Sequence, residues 1–299
     1  MAMTMQQFIR LADPDLDEIW HEDEPGLEEQ YSRIFNIESM DNLYRREAEM
    51  AGFGTFSEIA DGEAVTYDDA IAPRERRYDF VTRGKGYKVT RKLWQNDRYG
   101  EVMQFEADLR RADTDDTETF AFALLANATT TTTSTGFDGL ALASTAHTRL
   151  DDGPVQANRP TSLTALSLTA LEDAAIAFTK FLDHRGRPFR SQPRDLVIPV
   201  DLSLVANEIL ASAMNPNTAN NATNALKNVF NITPLATRYI TATTFWALLG
   251  DMHDINVIWR NRPFQKNETE FDTQTIKRAT WKDIARGHGR WYGFYQGNT

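Results

Sequence analysis

Five histidines, His21, His147, His184, His253 and His288, are the residues of this chain best suited to proton transfer or metal binding. No two stand four apart, so no helix face presents paired imidazoles, and the His-Glu-x-x-His pattern of a zinc helix is absent. Cysteine is absent too, which removes disulfides, thiolate ligands and thiol nucleophiles. There is no Gly-x-Ser-x-Gly elbow and no Gly-x4-Gly-Lys-Ser/Thr phosphate loop; Gly84-Lys85-Gly86 is too short to cradle a phosphate. Asp251, His253 and Asp254 are of the right types for acid–base work, but they follow directly on an apolar run, where turn residues gather. Asp113, Asp115 and Asp116 could hold a hard cation, yet an exposed helix face accounts for them more simply. The sequence therefore predicts no catalytic residue, no metal and no cofactor.

The elements that would carry any site alternate between helical and strand signals, an α+β pattern. Residues 28–50 space Tyr31, Ile34, Phe35, Met40, Leu43 and Tyr44 three to five apart and predict a helix, stopped by Gly52-Phe53-Gly54. Tyr78–Arg83 and Tyr87–Arg91 alternate around Gly84-Lys85-Gly86 and predict a β-hairpin. Asn96 or Asp97 is expected to cap a long helix to Ala128, with Val102, Phe105, Leu109 and Ala112 on its apolar stripe and a polar insert at 113–119. Thr169 and Glu172 form a capping box for a helix that carries Leu171, Ala175, Phe178 and Leu182. Leu196-Val197-Ile198 reads as a short buried strand, and Asp201 or Ser203 as the cap of a helix over 204–214. Core strands follow at 245–249 and 255–259, turning at Gly250-Asp251, and then at 280–285 and 290–294.

Charge is uneven. The chain carries a net −11, and residues 1–60 hold fourteen acids against four bases, a balance of −10. Asp13, Asp15, Asp17 and Glu18 lead that acidic segment, whereas Arg74, Arg76, Arg77, Arg83, Lys85, Lys88, Arg91 and Lys92 make 74–92 basic. The absence of a broad Lys/Arg excess disfavours sequence-wide nucleic-acid binding. No apolar run is long enough to span a membrane, and no membrane partner is expected.

The order of elements from Asp138 to Ser212 resembles the central region of tailed-bacteriophage major capsid proteins. The segments that carry it are Asp138-Gly139-Leu140-Ala141-Leu142-Ala143-Ser144-Thr145-Ala146-His147, Pro193–Pro199, Leu204–Ser212 and Trp246–Asp251. Mu-like prophage head subunits are the nearest in pattern. The resemblance implies the Hong Kong 97 fold: an N-terminal arm (1–54), an extended β-hairpin loop (55–96), a spine helix and peripheral domain (97–165), an axial domain (166–261) and peripheral return strands (262–299). It implies copies of the chain arranged as pentamers and hexamers around double-stranded DNA that is not read by sequence. A separate scaffolding protein, a portal and a decoration protein are the implied partners, with assembly in the host cytoplasm and residence in the virion. Expected contacts between subunits are the acids Asp13, Asp15, Asp17 and Glu18 against Arg74, Arg76, Arg77, Arg83, Lys85, Tyr87 and Lys88. Asn217, Asn220 and Asn221 of an Asn-rich loop are expected at a symmetry axis. Two other readings stay open: a soluble α+β enzyme or binding protein with a composite site, and a non-phage encapsulating shell protein on the same fold.

Overall fold

Leu196, Val197 and Ile198 are all fully buried, which a strand permits only when both of its faces are covered. In the computed structural model, which describes residues 20, 29–69, 71–96, 100–214, 223–270 and 272–298, they sit in a strand with a sheet neighbour on each side. The strands are β1 (Asn36–Ser39), β2 (Tyr44–Glu49), β3 (Arg74–Asp79), β4 (Val81–Thr90), β5 (Pro193–Pro199), β6 (Thr233–Thr237), β7 (Trp246–Gly250), β8 (Ile255–Glu270), β9 (Thr275–His288) and β10 (Phe294–Asn298). The helices are α1 (Arg91–Asn96), α2 (Glu101–Ala126), α3 (Leu168–Thr179), α4 (Ser203–Ala211) and α5 (Ala225–Val229), with 3-10 turns at Tyr31–Arg33 and Val200–Leu202.

Two four-stranded sheets organise the chain. One runs β10-β7-β5-β6, the other β1-β8-β9-β4, and β2 pairs with β3 alone. In the first sheet parity divides the side chains. Leu196, Ile198, Trp246 and Leu248 face a core built with Leu171, Ala175, Phe178 and Ile209 of α3 and α4. Val197, Ala247, Leu249 and Phe294 face the other way, into a core shared with Ala121, Phe122, Leu124 and Leu125 of α2 and with Val257, Trp259 and Ile284 of the second sheet. The C-terminal half of α2 is thus buried between both sheets.

The second sheet is dominated by the long antiparallel pair β8–β9, which β4 extends along its whole length from Val81↔Ile284 to Thr90↔Thr275. This pairing changes the reading of Gly84-Lys85-Gly86, which is the middle of β4 and not a turn. A Cβ on Gly84 would stand 2.5 Å from the Trp281 ring, and one on Gly86 2.5 Å from the Ala279 methyl. The glycines are there for close approach across the ladder, not for reversal. No hairpin joins β3 to β4; they belong to different sheets, and residues 51–69 and 71–73 contain no strand.

Other expectations also give way. Residues 29–50 form a 3-10 turn followed by β1 and β2 instead of a helix, because Tyr31, Ile34 and Phe35 are drawn into the core and the backbone that follows pairs in parallel with β8. Gly100, at φ 72°, precedes α2 and leaves it without a side-chain cap, while Asn96 ends α1; Asp97 lies outside the described residues. Ser167, not Thr169, caps α3, its hydroxyl accepting from the Ala170 N–H at 3.2 Å. Neither Asp201 nor Ser203 gives α4 a side-chain cap. The strands at either side of Gly250-Asp251 enter different sheets, and the final segment also divides: β9 stays with β8, whereas β10 pairs with β7.

Candidate interface and anchoring sites

The polar insert of α2 is divided: Asp115 and Thr119 are exposed, Thr117 and Glu118 are buried, and Asp113 and Asp116 lie between. Helical spacing sets Glu106, Asp113, Asp116 and Phe120 along the side of α2 that meets the sheet, and the alternation of β9 sets Arg278, Lys282 and Arg286 opposite them. Glu106, fully buried, receives the Arg278 guanidinium at 3.0 Å and the Tyr87 hydroxyl at 2.7 Å. Lys282 is 2 % exposed; its Nζ lies 2.9 Å from Asp113 Oδ1 and 3.0 Å from Asp116 Oδ2, and donates to the Asp113 carbonyl at 2.8 Å and Thr117 Oγ1 at 2.6 Å. Arg83 adds its Nε to Asp116 at 2.8 Å. Arg286 lies over Phe120, 4.2 Å from the ring centre. Burial lifts the Asp113 carboxyl above its ordinary range despite Lys282; the same burial acts on Asp116, but Arg83 and Lys282 together outweigh it and hold that carboxyl low. A cleft of about 420 Å³ opens beside these pairs, with Lys85 at its edge. Asp113 and Asp116 are spent on cations of the chain, and Asp115 accepts from the Tyr239 hydroxyl at 3.0 Å, so the three do not form a cation site. Among the described residues no group of three His, Asp or Glu is placed to hold a metal. No described helix is long and apolar enough to cross a membrane.

The residues that open the Asp138 segment are a buried scaffold. His147, fully buried and stacked on Trp291 with ring centres 4.5 Å apart, places Nδ1 2.6 Å from Asp138 Oδ2 and Nε2 3.1 Å from Asn158 Oδ1. Asn158 also takes the Ser144 N–H and donates to the Leu142 carbonyl at 2.6 Å, which fixes the loop on itself. Burial opposes ionisation of Asp138, but its hydrogen bond and charge contact with His147, with help from the Leu140 N–H and Arg74, hold the carboxyl below the usual range. A second buried cluster joins Glu49 to His184 at 2.8 Å, Arg290 at 3.2 Å and the Tyr292 hydroxyl at 3.3 Å. Both networks tie distant segments of the chain to one another.

The expected contact residues separate on inspection. Arg76 is buried: it donates to Ser134 Oγ at 2.9 Å and lies 3.9 Å from the Tyr78 ring centre. Arg74 donates to the Thr148 and Arg149 carbonyls, at 3.1 and 3.0 Å. Arg83 and Tyr87 are bound to α2 as described. These four hold the chain's own fold. Arg77 is exposed, donates to Asp79 at 2.6 Å and stacks on Tyr44; Lys85 and Lys88 are exposed. Asp13, Asp15, Asp17 and Glu18, with Asn217, Asn220 and Asn221, lie outside the described residues. Asn224, at the end of the Asn-rich stretch, is buried and caps α5.

The segment between β2 and β3, most of it within the expected extended loop, presents exposed aromatic rings. Phe53, Phe56 and Tyr67 are 77 %, 104 % and 92 % exposed. Five acids and no base lie in 51–72. Its neck is tied: Arg185 donates to the Gly52 and Asp69 carbonyls, both at 2.9 Å, and Ser57 meets Thr66 at 3.0 Å.

The comparisons follow this geometry. A family model described as phage capsid protein matches residues 74–297. No curated protein sequence matches. Among solved structures the bacteriophage JBD30 capsid is 14 % identical, with 80 % of this chain and 100 % of that one covered at a TM-score of 0.58. The capsid of cyanophage P-SCSP1u is 14 % identical, with 89 % and 87 % covered at 0.57. A virus-like particle from Pyrococcus furiosus is 8 % identical, with 97 % and 99 % covered at 0.51. The family model spans most of the chain, and the role it carries is structural and not enzymatic: the chain belongs to the phage capsid protein family.

Proposed function

We propose that this chain is the major subunit of an icosahedral shell of the Hong Kong 97 type, enclosing the double-stranded DNA of a tailed bacteriophage of the Mu-like kind. The family match over residues 74–297 carries the proposal. In it, α2 serves as the spine, the β8–β9–β4 sheet as the peripheral domain, and the β7–β5–β6 sheet with α3 and α4 as the axial domain about five-fold and six-fold axes. The strand β10 belongs with the axial sheet. The segment 51–73 is the overlapping loop, and its exposed aromatics supply apolar area for a neighbour. Arg77, Lys85 and Lys88 remain as the basic partners of the acidic arm led by Asp13, Asp15, Asp17 and Glu18, and Asn217, Asn220 and Asn221 as the axis loop. A separate scaffolding protein, a portal and a decoration protein complete the particle, which forms in the host cytoplasm. The acidic balance of the chain supports a lumen without a dedicated basic patch, so packaged DNA is confined and not held. Size-exclusion chromatography with negative-stain microscopy of the expressed protein tests this: closed shells or capsomers are expected.

The near-complete mutual coverage with the Pyrococcus furiosus particle favours one second reading, an encapsulating shell outside the phages. Nucleic-acid content of purified native particles separates the two, since a genome-length DNA is expected only of the phage shell.

A further inference from the structure

Glu118 is fully buried on α2, and its hydrogen bonds come from two backbone N–H groups: that of Gln30 at 2.6 Å and that of Tyr31 at 3.0 Å. Glu106, equally buried on the same helix, faces the Arg278 guanidinium. Glu118 has no such partner among the described residues. The charged and titratable groups around it are Glu29 on the entering chain, Asp115 one helical turn back, and Tyr31 itself, on which Trp259 and Arg262 act from β8. Tyr239 faces Asp115 through its hydroxyl, and Arg238 acts on Tyr239. A carboxylate in this position has been stripped of water without gaining a cation among the described residues.

We propose that Glu118 is a proton-controlled anchor for the root of the N-terminal segment, holding Tyr31–Arg33 against the long helix when protonated and loosening it when ionised. The neutral carboxyl keeps Oε1, which the Gln30 and Tyr31 N–H groups reach at 2.6 and 3.3 Å, and gains an O–H to donate from Oε2, at the expense of the 3.0 Å bond from Tyr31. The Gln30 Oε1 is buried without a hydrogen-bond partner, which leaves an acceptor in the same turn. Ile34 and Phe35 are seated in the core just beyond the turn, so the change is confined to the entry of the segment. Burial first, then the charges of Glu29 and Asp115, raise the proton affinity of Glu118 to about 7, against the two N–H groups, which lower it. The sign is opposite to that of a salt-bridged acid. Anchoring is fully present below the ordinary carboxyl range, declines as pH rises to about 7, and is level above that. The consequence for assembly rests on the shell-subunit reading, because the anchor governs how the acidic arm leaves the body.

Hydrogen exchange of the full chain at pH 5.5 and pH 8, corrected for intrinsic rates, reads the anchor directly. Protection at Gln30 and Tyr31 is expected to fall at least tenfold between the two in the wild type. In Glu118→Gln, which keeps an acceptor but cannot ionise, it is expected to change less than threefold and to exceed the wild type at pH 8. Equal wild-type protection at both pH values, or an undiminished pH response in Glu118→Gln, overturns the proposal. A carbon-13 titration of the Glu118 carboxyl in the wild type needs no variant: a midpoint near 7 agrees with it, and one in the ordinary carboxyl range contradicts it. Neither measurement requires particles, so loss of the anchor and loss of the shell reading are separate results.

Discussion

Lys282 shows how much of this fold depends on single charges. Its ammonium meets two carboxylates, a carbonyl and a hydroxyl while 2 % exposed. Lys282→Ala strands Asp113, while Asp116 keeps Arg83, and removing one partner of a buried pair costs about 3–5 kcal/mol. Replacing Lys282 and Asp113 together by Met and Leu should cost less than half of that, because no buried charge is stranded. Urea denaturation of the two variants checks the difference. Asp138 gives a pH prediction of the common sign. Its native carboxyl is held low, so the stability it contributes is present above the ordinary Asp range and lost as pH falls through the native value. Asp138→Asn should be less stable than the wild type at pH 7, and the gap should begin to close below about pH 4, where the unfolded carboxyl takes up its proton, and narrow further toward the lower native value. Thermal unfolding across pH 3–7 measures this convergence. Arg76→Glu would destabilise the fold itself, since it places a carboxylate in a buried site beside Tyr78 and Ser134.

At the scale of elements, the loop between β2 and β3 separates stability from assembly. Phe53, Phe56 and Tyr67 touch no core cluster and are almost fully exposed. Changing all three to Ser should move the unfolding midpoint by no more than surface substitutions do, about 0.5 kcal/mol each, and should abolish particle formation. A loss of several kcal/mol in the isolated chain would mean that the loop is packed on its own subunit. The helices and strands that were legible in the sequence are those whose burial is local in pattern. Leu196-Val197-Ile198, the long helix and the Leu171–Ala175–Phe178 face declare themselves by periodicity. What was not legible depends on partners distant in sequence. Residues 36–39 become a strand only because β8 lies beside them, more than 200 residues away. Gly84 and Gly86 read as a turn until Trp281 and Ala279 are known to cross them. The ionic seam of α2 was hidden because its helical period of acids and its strand period of bases look, apart, like solvated faces.

For the whole molecule, the acidic arm against exposed Arg77, Lys85 and Lys88 is a surface strip of weak pairs, each worth about 0–1 kcal/mol. Repeated at every contact, such pairs steer register while the apolar loop supplies area. Reversing Arg77, Lys85 and Lys88 to Glu should therefore slow assembly at low salt. The gap should narrow near 1 M, where the Debye length is about 3 Å. Light scattering of assembly kinetics reads both effects. The most direct test of the shell itself is sedimentation velocity with negative-stain microscopy of the wild-type chain and of the triple variant Phe53→Ser, Phe56→Ser, Tyr67→Ser. The account predicts closed particles or five- and six-fold capsomers for the wild type and a folded monomer for the variant. A wild-type chain that stays a 33.9 kDa monomer across concentration and salt, or a variant that assembles as well as the wild type, would contradict it.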